Sequence, residues 1–144
     1  MNNKTLFTAV ATATGGRNGH TAAEDGSLSL ELSVPKAMAG PGKPASTTPE
    51  HLFAAGYAAS FGGALGYVAS RAGLNAKTAS VTCSVSIGRR ASGGFGLAVK
   101  LHVVDAKTPQ VELEALARVA HEKICPYSHA TRGNLQVDLT VAGA

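Results

Sequence analysis

The chain has few of the residues that nucleic-acid-binding proteins and disulfide-rich secreted proteins require. Aromatic residues make up 5% of its 144 residues and charged residues 15%, and the net charge of +4 comes from scattered Lys and Arg whose longest run is Arg89-Arg90. Nucleic-acid binding depends on clustered basic side chains and aromatic stacking platforms. Two cysteines, Cys83 and Cys125, are too few for a disulfide scaffold. We therefore predict a soluble globular protein that does not bind nucleic acid.

Signals for export and for metal binding are also lacking. Residues 1–5 lead into a strand-like pattern and contain neither the apolar core nor the cleavage site of a signal peptide, so we expect a cytoplasmic location. The five histidines show no ligand spacing. His121 and Cys125, four residues apart, could share a metal, but two ligands do not make a closed site. The sequence predicts neither a bound metal nor a bound cofactor.

The longest uncharged stretch could be mistaken for a membrane span. It runs from Leu52 to Ser70, ends at Arg71, and has a length that suits a bilayer. However, it is rich in Ala and Gly and poor in Leu, Ile and Val, so it would gain little from insertion into lipid. Its four glycines allow neighbouring elements to approach closely. We therefore predict a central helix packed inside a protein, and no membrane association.

Alternating apolar residues predict strands and one hairpin. The segments with this pattern are residues 4–14, 28–34, 81–87, 97–103 and 135–141. Asp25-Gly26 marks a turn before the second segment, and Gly93-Gly94-Phe95-Gly96 forms a turn that joins the third and fourth segments into a hairpin. Residues 35–48 form a loop with three prolines, which resist pairing and keep the loop semi-rigid.

Two helical segments complete the pattern. The first is capped by Thr47 or Thr48, has Glu50 in its first turn, and runs to Ala72 before a glycine stop. The second follows Pro109 and is interrupted by a proline at 126, after which a short helical turn resumes. Because hairpins replace alternating βαβ units, we predict a single α+β domain over residues 1–144, with a mostly antiparallel sheet and a long buried central helix.

Two short runs carry the strongest functional signal. They are Thr48-Pro49-Glu50-His51-Leu52-Phe53-Ala54-Ala55-Gly56-Tyr57-Ala58-Ala59-Ser60-Phe61-Gly62-Gly63-Ala64-Leu65 and Cys125-Pro126-Tyr127-Ser128. Together they resemble the motifs of the organic hydroperoxide resistance proteins, within the wider OsmC-like group. The resemblance extends from Arg17 through Gly133. In that family the position of Ser60 holds the cysteine that attacks the peroxide.

The resemblance implies roles for four residues. Ser60 occupies the nucleophile position, and Cys125 matches the resolving cysteine. Arg17 matches the arginine that holds the thiolate, and Glu50 matches the carboxylate that orients this arginine. A guanidinium suits such a role because its planar fork stays charged and can bind a carboxylate through two bonds. Only Ser60 departs from the family pattern.

The reaction implied by the family is a thiol peroxidase cycle. A cysteine at position 60 attacks an organic hydroperoxide, which gives an alcohol and a sulfenic acid, and Cys125 then condenses with that acid to form a disulfide. The dihydrolipoyl group of a lipoylated protein reduces the disulfide. The uncharged side chains of Leu52, Phe53 and Phe61 and the proline-rich loop would favour alkyl or lipid hydroperoxides over hydrogen peroxide.

Ser60 prevents the first step of this cycle. A thiol titrates near about 8.5 and can be tuned lower, whereas a serine hydroxyl stays protonated at neutral pH and forms no sulfenic acid. We predict that the chain as written has no peroxidase turnover. The simplest explanation is an engineered Cys-to-Ser substitution, and a natural loss of function is the alternative.

The spacing of Glu50 and Ser60 favours a dimer. Ten residues on one helix correspond to about 15 Å along its axis, so both side chains cannot contact one peroxide oxygen within one straight helix. A second copy of the helix, packed alongside, could bring Glu50 of one chain near Ser60 of the other. The family resemblance likewise implies an intertwined homodimer with composite sites.

A function without catalysis stays open beside the enzymatic one. The chain could be a binder or sensor of fatty hydroperoxide-like ligands. The presence of Cys125 together with Arg17 and Glu50 favours the enzyme, because a pure binder has no use for a resolving thiol. A serine hydrolase is disfavoured because Ser60 lacks the Gly-x-Ser-x-Gly neighbourhood of a nucleophile elbow.

Several residues near these motifs have simpler interpretations. Cys83 alternates with apolar neighbours on one face of a strand, so we predict that it is buried and unreactive. Tyr57, Tyr67 and Tyr127 are predicted to be packing residues rather than catalytic ones.

Overall fold

The computed structural model describes residues 3–144, which divide into two compact units, one that ends at Leu52 and one that spans Phe53–Ala144. Met1 and Asn2, the first residues of the predicted N-terminal segment, lie outside the described residues. The interpretation of residues 1–144 as a single domain stays a prediction. As predicted, the described chain is α+β, with two three-stranded sheets and one long helix.

The first unit contains an antiparallel sheet of three short strands, β1 Ala11–Thr14, β2 His20–Ala23 and β3 Ser29–Glu31. The predicted strand over residues 4–14 is wrong in its start, because residues 3–10 are not part of a strand and β1 begins at Ala11. Their apolar side chains are exposed, with Leu6 93% and Phe7 81% accessible.

The second unit contains a sheet with strand order β4-β5-β6. Strands β4 Ser80–Arg89 and β5 Phe95–Val104 form the predicted hairpin, with Gly93 and Gly94 in its turn, both at positive φ. The turn is shorter than predicted, because Phe95 and Gly96 already pair with β4. Strand β6 Val137–Ala142 pairs in parallel with β5. A parallel pair needs a long crossover connection, and the helical segments that follow β5 in sequence provide it. The other three strand pairings in the described chain are antiparallel, as predicted.

Helix α1 spans Pro49–Arg71 and has the predicted ends. The Thr48 hydroxyl oxygen accepts a hydrogen bond from the backbone N–H of His51 at 3.1 Å, which satisfies a donor of the first turn. Gly73 follows the helix with a φ of 72°, the left-handed conformation common after a helix end. By length and composition alone α1 could cross a membrane, a test that the core helix of a soluble protein also passes.

The second helical segment has a break that the sequence predicted only in part. Helix α2 spans Gln110–Val119 and continues as a π-helical turn, Ala120–Ile124. Cys125 then takes an extended conformation, with a ψ of 119°, as expected for a residue before proline. Helix α3 Pro126–Thr131 resumes immediately. The proline therefore ends one helix and begins the next.

The core of the second unit forms where one face of α1 meets the β4-β5-β6 sheet and α2. The buried residues of α1 recur at helical spacing, and the prediction of a buried central helix holds for this face. They are Tyr57, Phe61, Ala64, Leu65 and Ala69. Those of the sheet and of α2 are Val99, Leu101, Val103, Leu113, Leu116 and Ala117. Phe61 is fully buried in this core.

Candidate functional site

The Arg17 loop is a tight turn that depends on its glycines. Gly15 and Gly16 have positive φ values of 78° and 59°. Gly19 donates its N–H to the Gly16 carbonyl oxygen at 3.1 Å, and a Cβ at Gly19 would overlap the Thr14 carbonyl oxygen. A side chain at Gly19 is therefore incompatible with this turn, which presents Arg17 from a short 3-10 helix.

Arg17 and Glu50 form a two-bond ion pair within the first unit. Nη1 and Nη2 of Arg17 donate to Oε2 and Oε1 of Glu50 at 2.9 and 2.7 Å. These hydrogen bonds lower the pKa of Glu50 below its ordinary value, although partial burial opposes the change, and they raise the pKa of Arg17. Glu50 is therefore a carboxylate at neutral pH, and one that fixes the orientation of the guanidinium.

Ser60 and Cys125 form a second close pair, within the second unit. The Ser60 Oγ lies 3.6 Å from the Cys125 Sγ, although the two residues are 65 positions apart in sequence. Ser60 is half-buried on α1, and Cys125 is 1% exposed. A disulfide requires a separation of about 2.05 Å between two sulfur atoms. A sulfur atom in place of the Ser60 oxygen would therefore need only a small side-chain movement to bond Cys125.

The π-helical turn sets the position of Cys125. The Cys125 N–H donates to the Ala120 carbonyl oxygen at 2.8 Å, which is an i→i+5 bond, and the Cys125 carbonyl oxygen accepts from the His129 N–H at 3.0 Å. Single π-helical turns often occur at functional sites. Here the turn holds the thiol at the junction between α2 and α3.

Sequence reasoning missed a set of polar side chains beside Cys125. The Ser128 Oγ lies 2.9 Å from the Tyr57 hydroxyl oxygen and 2.8 Å from His121 Nδ1, and the Tyr57 hydroxyl also lies 3.3 Å from Thr131 Oγ1. We call these four residues the hydroxyl network. A signal was present in the sequence, because Tyr57 lies one helical turn before Ser60 and Ser128 lies three residues after Cys125.

Two further titratable groups differ from their ordinary state because of burial. The pKa of His121 is lowered, mainly by desolvation and then by the charge of Arg132, so its ring is neutral at pH 7. The pKa of the Cys83 thiol is raised by desolvation. Cys83 is half-buried rather than fully buried as predicted, but its raised pKa agrees with the prediction of an unreactive thiol.

The described residues form no metal-binding cluster that sequence reasoning overlooked. Among residues 3–144, no three His, Cys, Asp or Glu side chains lie close enough to hold an ion. The four predicted site residues instead form two pairs, Arg17 with Glu50 and Ser60 with Cys125. Each pair lies within one unit. What the geometry offers is a fixed cation beside a carboxylate, and a thiol beside the hydroxyl at position 60.

Comparison with known proteins gives consistent matches. A sequence model of the OsmC-like protein family matches residues 40–140. An organic hydroperoxide resistance protein of Xanthomonas axonopodis pv. citri is 46% identical over 140 residues, which cover 96% of each chain. Another from Bacillus subtilis is 44% identical and covers 93% of this chain and 96% of its own. The crystal structure of a third, from Elizabethkingia anophelis, has a TM-score of 0.91 and 45% identity and covers 99% of this chain and 100% of its own.

Proposed function

From the premise that this chain belongs to the OsmC-like family, we propose that it carries the framework of a thiol-dependent peroxidase that reduces organic hydroperoxides to alcohols. Relatives 44–46% identical over nearly their whole length are named for organic hydroperoxide resistance. The observation that carries the proposal is the distance of 3.6 Å between Ser60 Oγ and Cys125 Sγ. A resolving thiol in contact with position 60 has a clear use only if position 60 holds a second sulfur.

The first step of the proposed reaction needs a thiolate at position 60. The thiolate attacks one oxygen of the hydroperoxide, the O–O bond breaks, and after one proton is taken up the products are an alcohol and a sulfenic acid. In the second step Cys125 displaces the sulfenic oxygen as water, and a disulfide forms. The Arg17–Glu50 pair supplies the preorganised cation that favours the ionised sulfur.

The disulfide is reduced in the third step. Two electrons and two protons from a dithiol return both cysteines to thiols, and we assign this role to the dihydrolipoyl group of a lipoylated protein. The proposal thus has three participants: the hydroperoxide, the dithiol and the enzyme as a cytoplasmic homodimer. The dimer is supported by the ten-residue spacing of Glu50 and Ser60 on α1 and by the exposed apolar side chains of Leu6 and Phe7.

The chain as it stands, with Ser60, performs none of these steps. Its hydroxyl stays protonated and cannot be oxidised to a sulfenic acid. Replacement of sulfur by oxygen changes the side-chain volume little, so the fold and the Arg17–Glu50 pair do not depend on it. Ser60 also favours the second candidate, a non-catalytic binder or sensor of hydroperoxide-like ligands, because such a protein needs no nucleophile.

A turnover assay separates the two candidates. The Ser60→Cys variant, mixed with an alkyl hydroperoxide and dihydrolipoamide, should consume the hydroperoxide through many turnovers. The chain with Ser60 and the double variant Ser60→Cys, Cys125→Ser should not turn over with the dithiol in this way. Absence of hydroperoxide consumption by the Ser60→Cys variant would refute the peroxidase and favour the binder.

A further inference from the structure

The hydroxyl network connects the segment around Cys125 to helix α1. His121 lies four residues before Cys125, and Ser128 lies three residues after it. Their hydrogen bond of 2.8 Å therefore joins the two segments that flank Cys125. The same Ser128 hydroxyl contacts the Tyr57 hydroxyl at 2.9 Å. Tyr57 and Ser128 are both 0% exposed. Water therefore does not compete for these bonds, and they have well-defined geometry.

The network contacts both sides of the Ser60–Cys125 pair. On α1, Tyr57 precedes Ser60 by one helical turn, and Phe61 follows it directly. The ring of Phe61 packs beside the ring of His121, with 6.3 Å between their centroids. One connected group of side chains thus fixes the residues adjacent to Ser60 and the residues around Cys125.

The backbone hydrogen bonds of Cys125 fix its main chain but do not by themselves fix the direction of its side chain. Cys125 has an extended conformation and lies between the π-helical turn and the six-residue helix α3. Arg132 adds a bond from Nη2 to the His121 carbonyl oxygen at 2.7 Å, which holds the π-helical turn from the other side. Beside the thiol contact itself, the polar link from this segment to α1 is the contact of Ser128 and Thr131 with Tyr57. Loss of that link would remove the polar attachment of this segment to α1 and allow the buried thiol to shift relative to position 60.

We propose that His121 and Ser128, held by Tyr57, are positioning residues that keep the Cys125 thiol against position 60, so that disulfide formation outpaces further oxidation. This inference rests on the proposed function. In the step concerned, the Cys125 sulfur attacks the sulfenic sulfur, the S–S bond forms, the S–O bond breaks, and the hydroxyl leaves with the thiol proton as water. In the competing step a second hydroperoxide oxidises the sulfenic acid to a sulfinic acid and becomes an alcohol.

The ratio of disulfide to sulfinic acid measures how well the Cys125 thiol is positioned against position 60. The Ser60→Cys protein is treated with excess cumene hydroperoxide, and intact-mass spectrometry compares the form that has lost two hydrogens with the form that has gained two oxygens. Addition of Ser128→Ala or His121→Phe should lower the ratio of disulfide to sulfinic acid by about 10- to 100-fold, the range expected when a reacting group is displaced by about 1 Å. The rate of the first oxidation should stay that of the Ser60→Cys protein.

Matched variants distinguish positioning from loss of stability. His102→Phe removes a hydrogen bond of the same type, between His102 Nδ1 and Thr140 Oγ1 at 2.7 Å on the exposed side of the sheet, and should leave the ratio unchanged. Val103→Ala destabilises the buried core without removing a network bond and should also leave it unchanged. His121→Asn, whose amide can still bond Ser128, should restore most of the ratio.

Each outcome decides the proposal. An unchanged ratio in both Ser128→Ala and His121→Phe, or an equal fall in Val103→Ala, would overturn it while leaving the peroxidase intact. If Ser128→Ala does not fold, Tyr57→Phe gives the same test, because it keeps the ring and removes only the hydroxyl. If the Ser60→Cys protein forms neither product, the proposed function fails first, and this inference falls with it.

Discussion

Both terminal nitrogens of the Arg17 guanidinium donate to Glu50, so at the scale of single residues the orientation of this cation is fixed by the protein itself. The side chain of Arg17 is 38% exposed and that of Glu50 is 14% exposed. A partly exposed ion pair of this kind makes only a modest contribution to stability. Its value lies in orientation, since a paired guanidinium has one defined direction in which its remaining N–H groups can donate.

Substitutions of this pair in the Ser60→Cys protein test the role of orientation. Arg17→Lys keeps the charge but loses the two-bond geometry, and Glu50→Gln removes the carboxylate. We expect each to lower the second-order rate constant for hydroperoxide consumption by about 10- to 100-fold, since a hydrogen bond to a charged group contributes about 1.5–3 kcal/mol. Stopped-flow measurement of peroxide loss gives this constant. Glu31→Gln, an exposed acidic residue on β3, is the control and should retain the full rate.

The pH dependence of the ion pair has a defined sign. Because the hydrogen bonds from Arg17 lower the pKa of Glu50 in the folded protein, the pair stabilises the fold above the unfolded carboxyl pKa of about 4.3. That stabilisation is lost as the pH falls through the lower folded pKa. Urea unfolding of the parent and of Arg17→Ala between pH 7 and acid should show the difference between them shrink on acidification. A constant difference would contradict this account.

The pKa of His121 is also lowered, in this case mainly by burial, and its effect on stability has the same sign. The unfolded chain takes up a proton near about pH 6.5, before the folded ring does, so the free energy of unfolding falls as the pH drops below this value. His121→Phe cannot take up this proton and should lose that part of the pH dependence. Urea titrations of both proteins from pH 8 to pH 5 test this. Parallel curves would show that His121 titrates alike in both states.

At the scale of elements, local sequence signals predicted α1 and the hairpin, but features that depend on tertiary packing were missed. A threonine cap, a glycine stop and alternating apolar residues are encoded within a few positions, so α1 and the β4–β5 hairpin follow from the sequence. The parallel pairing of β5 with β6 and the π-helical turn depend on how distant elements pack, and no short pattern encodes them. The strand predicted from residue 4 failed for the same reason, since alternation indicates an extended chain but does not supply a partner.

The glycine after the end of α1 allows the energetic cost of a left-handed backbone conformation to be measured without a change in packing. Gly73 has a φ of 72°, and a Cβ added to it would meet no atom within 4 Å, so only the backbone opposes a side chain there. Gly73→Ala should lower the free energy of unfolding by about 1–2 kcal/mol, the cost of a left-handed conformation for an ordinary residue. Gly73→Asn should cost less, because asparagine tolerates this conformation. Equal losses for the two variants would contradict the assignment.

At the scale of the whole molecule, the proposed dimer accounts for apolar surface that one chain leaves exposed. Leu6 and Phe7 are adjacent, large and almost fully accessible. We expect a dimer at micromolar concentration by equilibrium sedimentation, and Phe7→Asp should raise its dissociation constant. Val111→Asp is the matched control, because Val111 is 77% exposed on α2 as an isolated apolar side chain. A monomer at micromolar concentration would remove the dimer from the account.

The peroxidase proposal requires position 60 and Cys125 to be a redox pair. One equivalent of an alkyl hydroperoxide, added to the Ser60→Cys protein, should convert it to a species lighter by two hydrogens, with a peptide bridge from position 60 to Cys125. The same treatment should leave the Ser60 chain at its original mass. A Ser60→Cys protein whose mass does not change, or whose bridge joins Cys83 instead, would contradict the account.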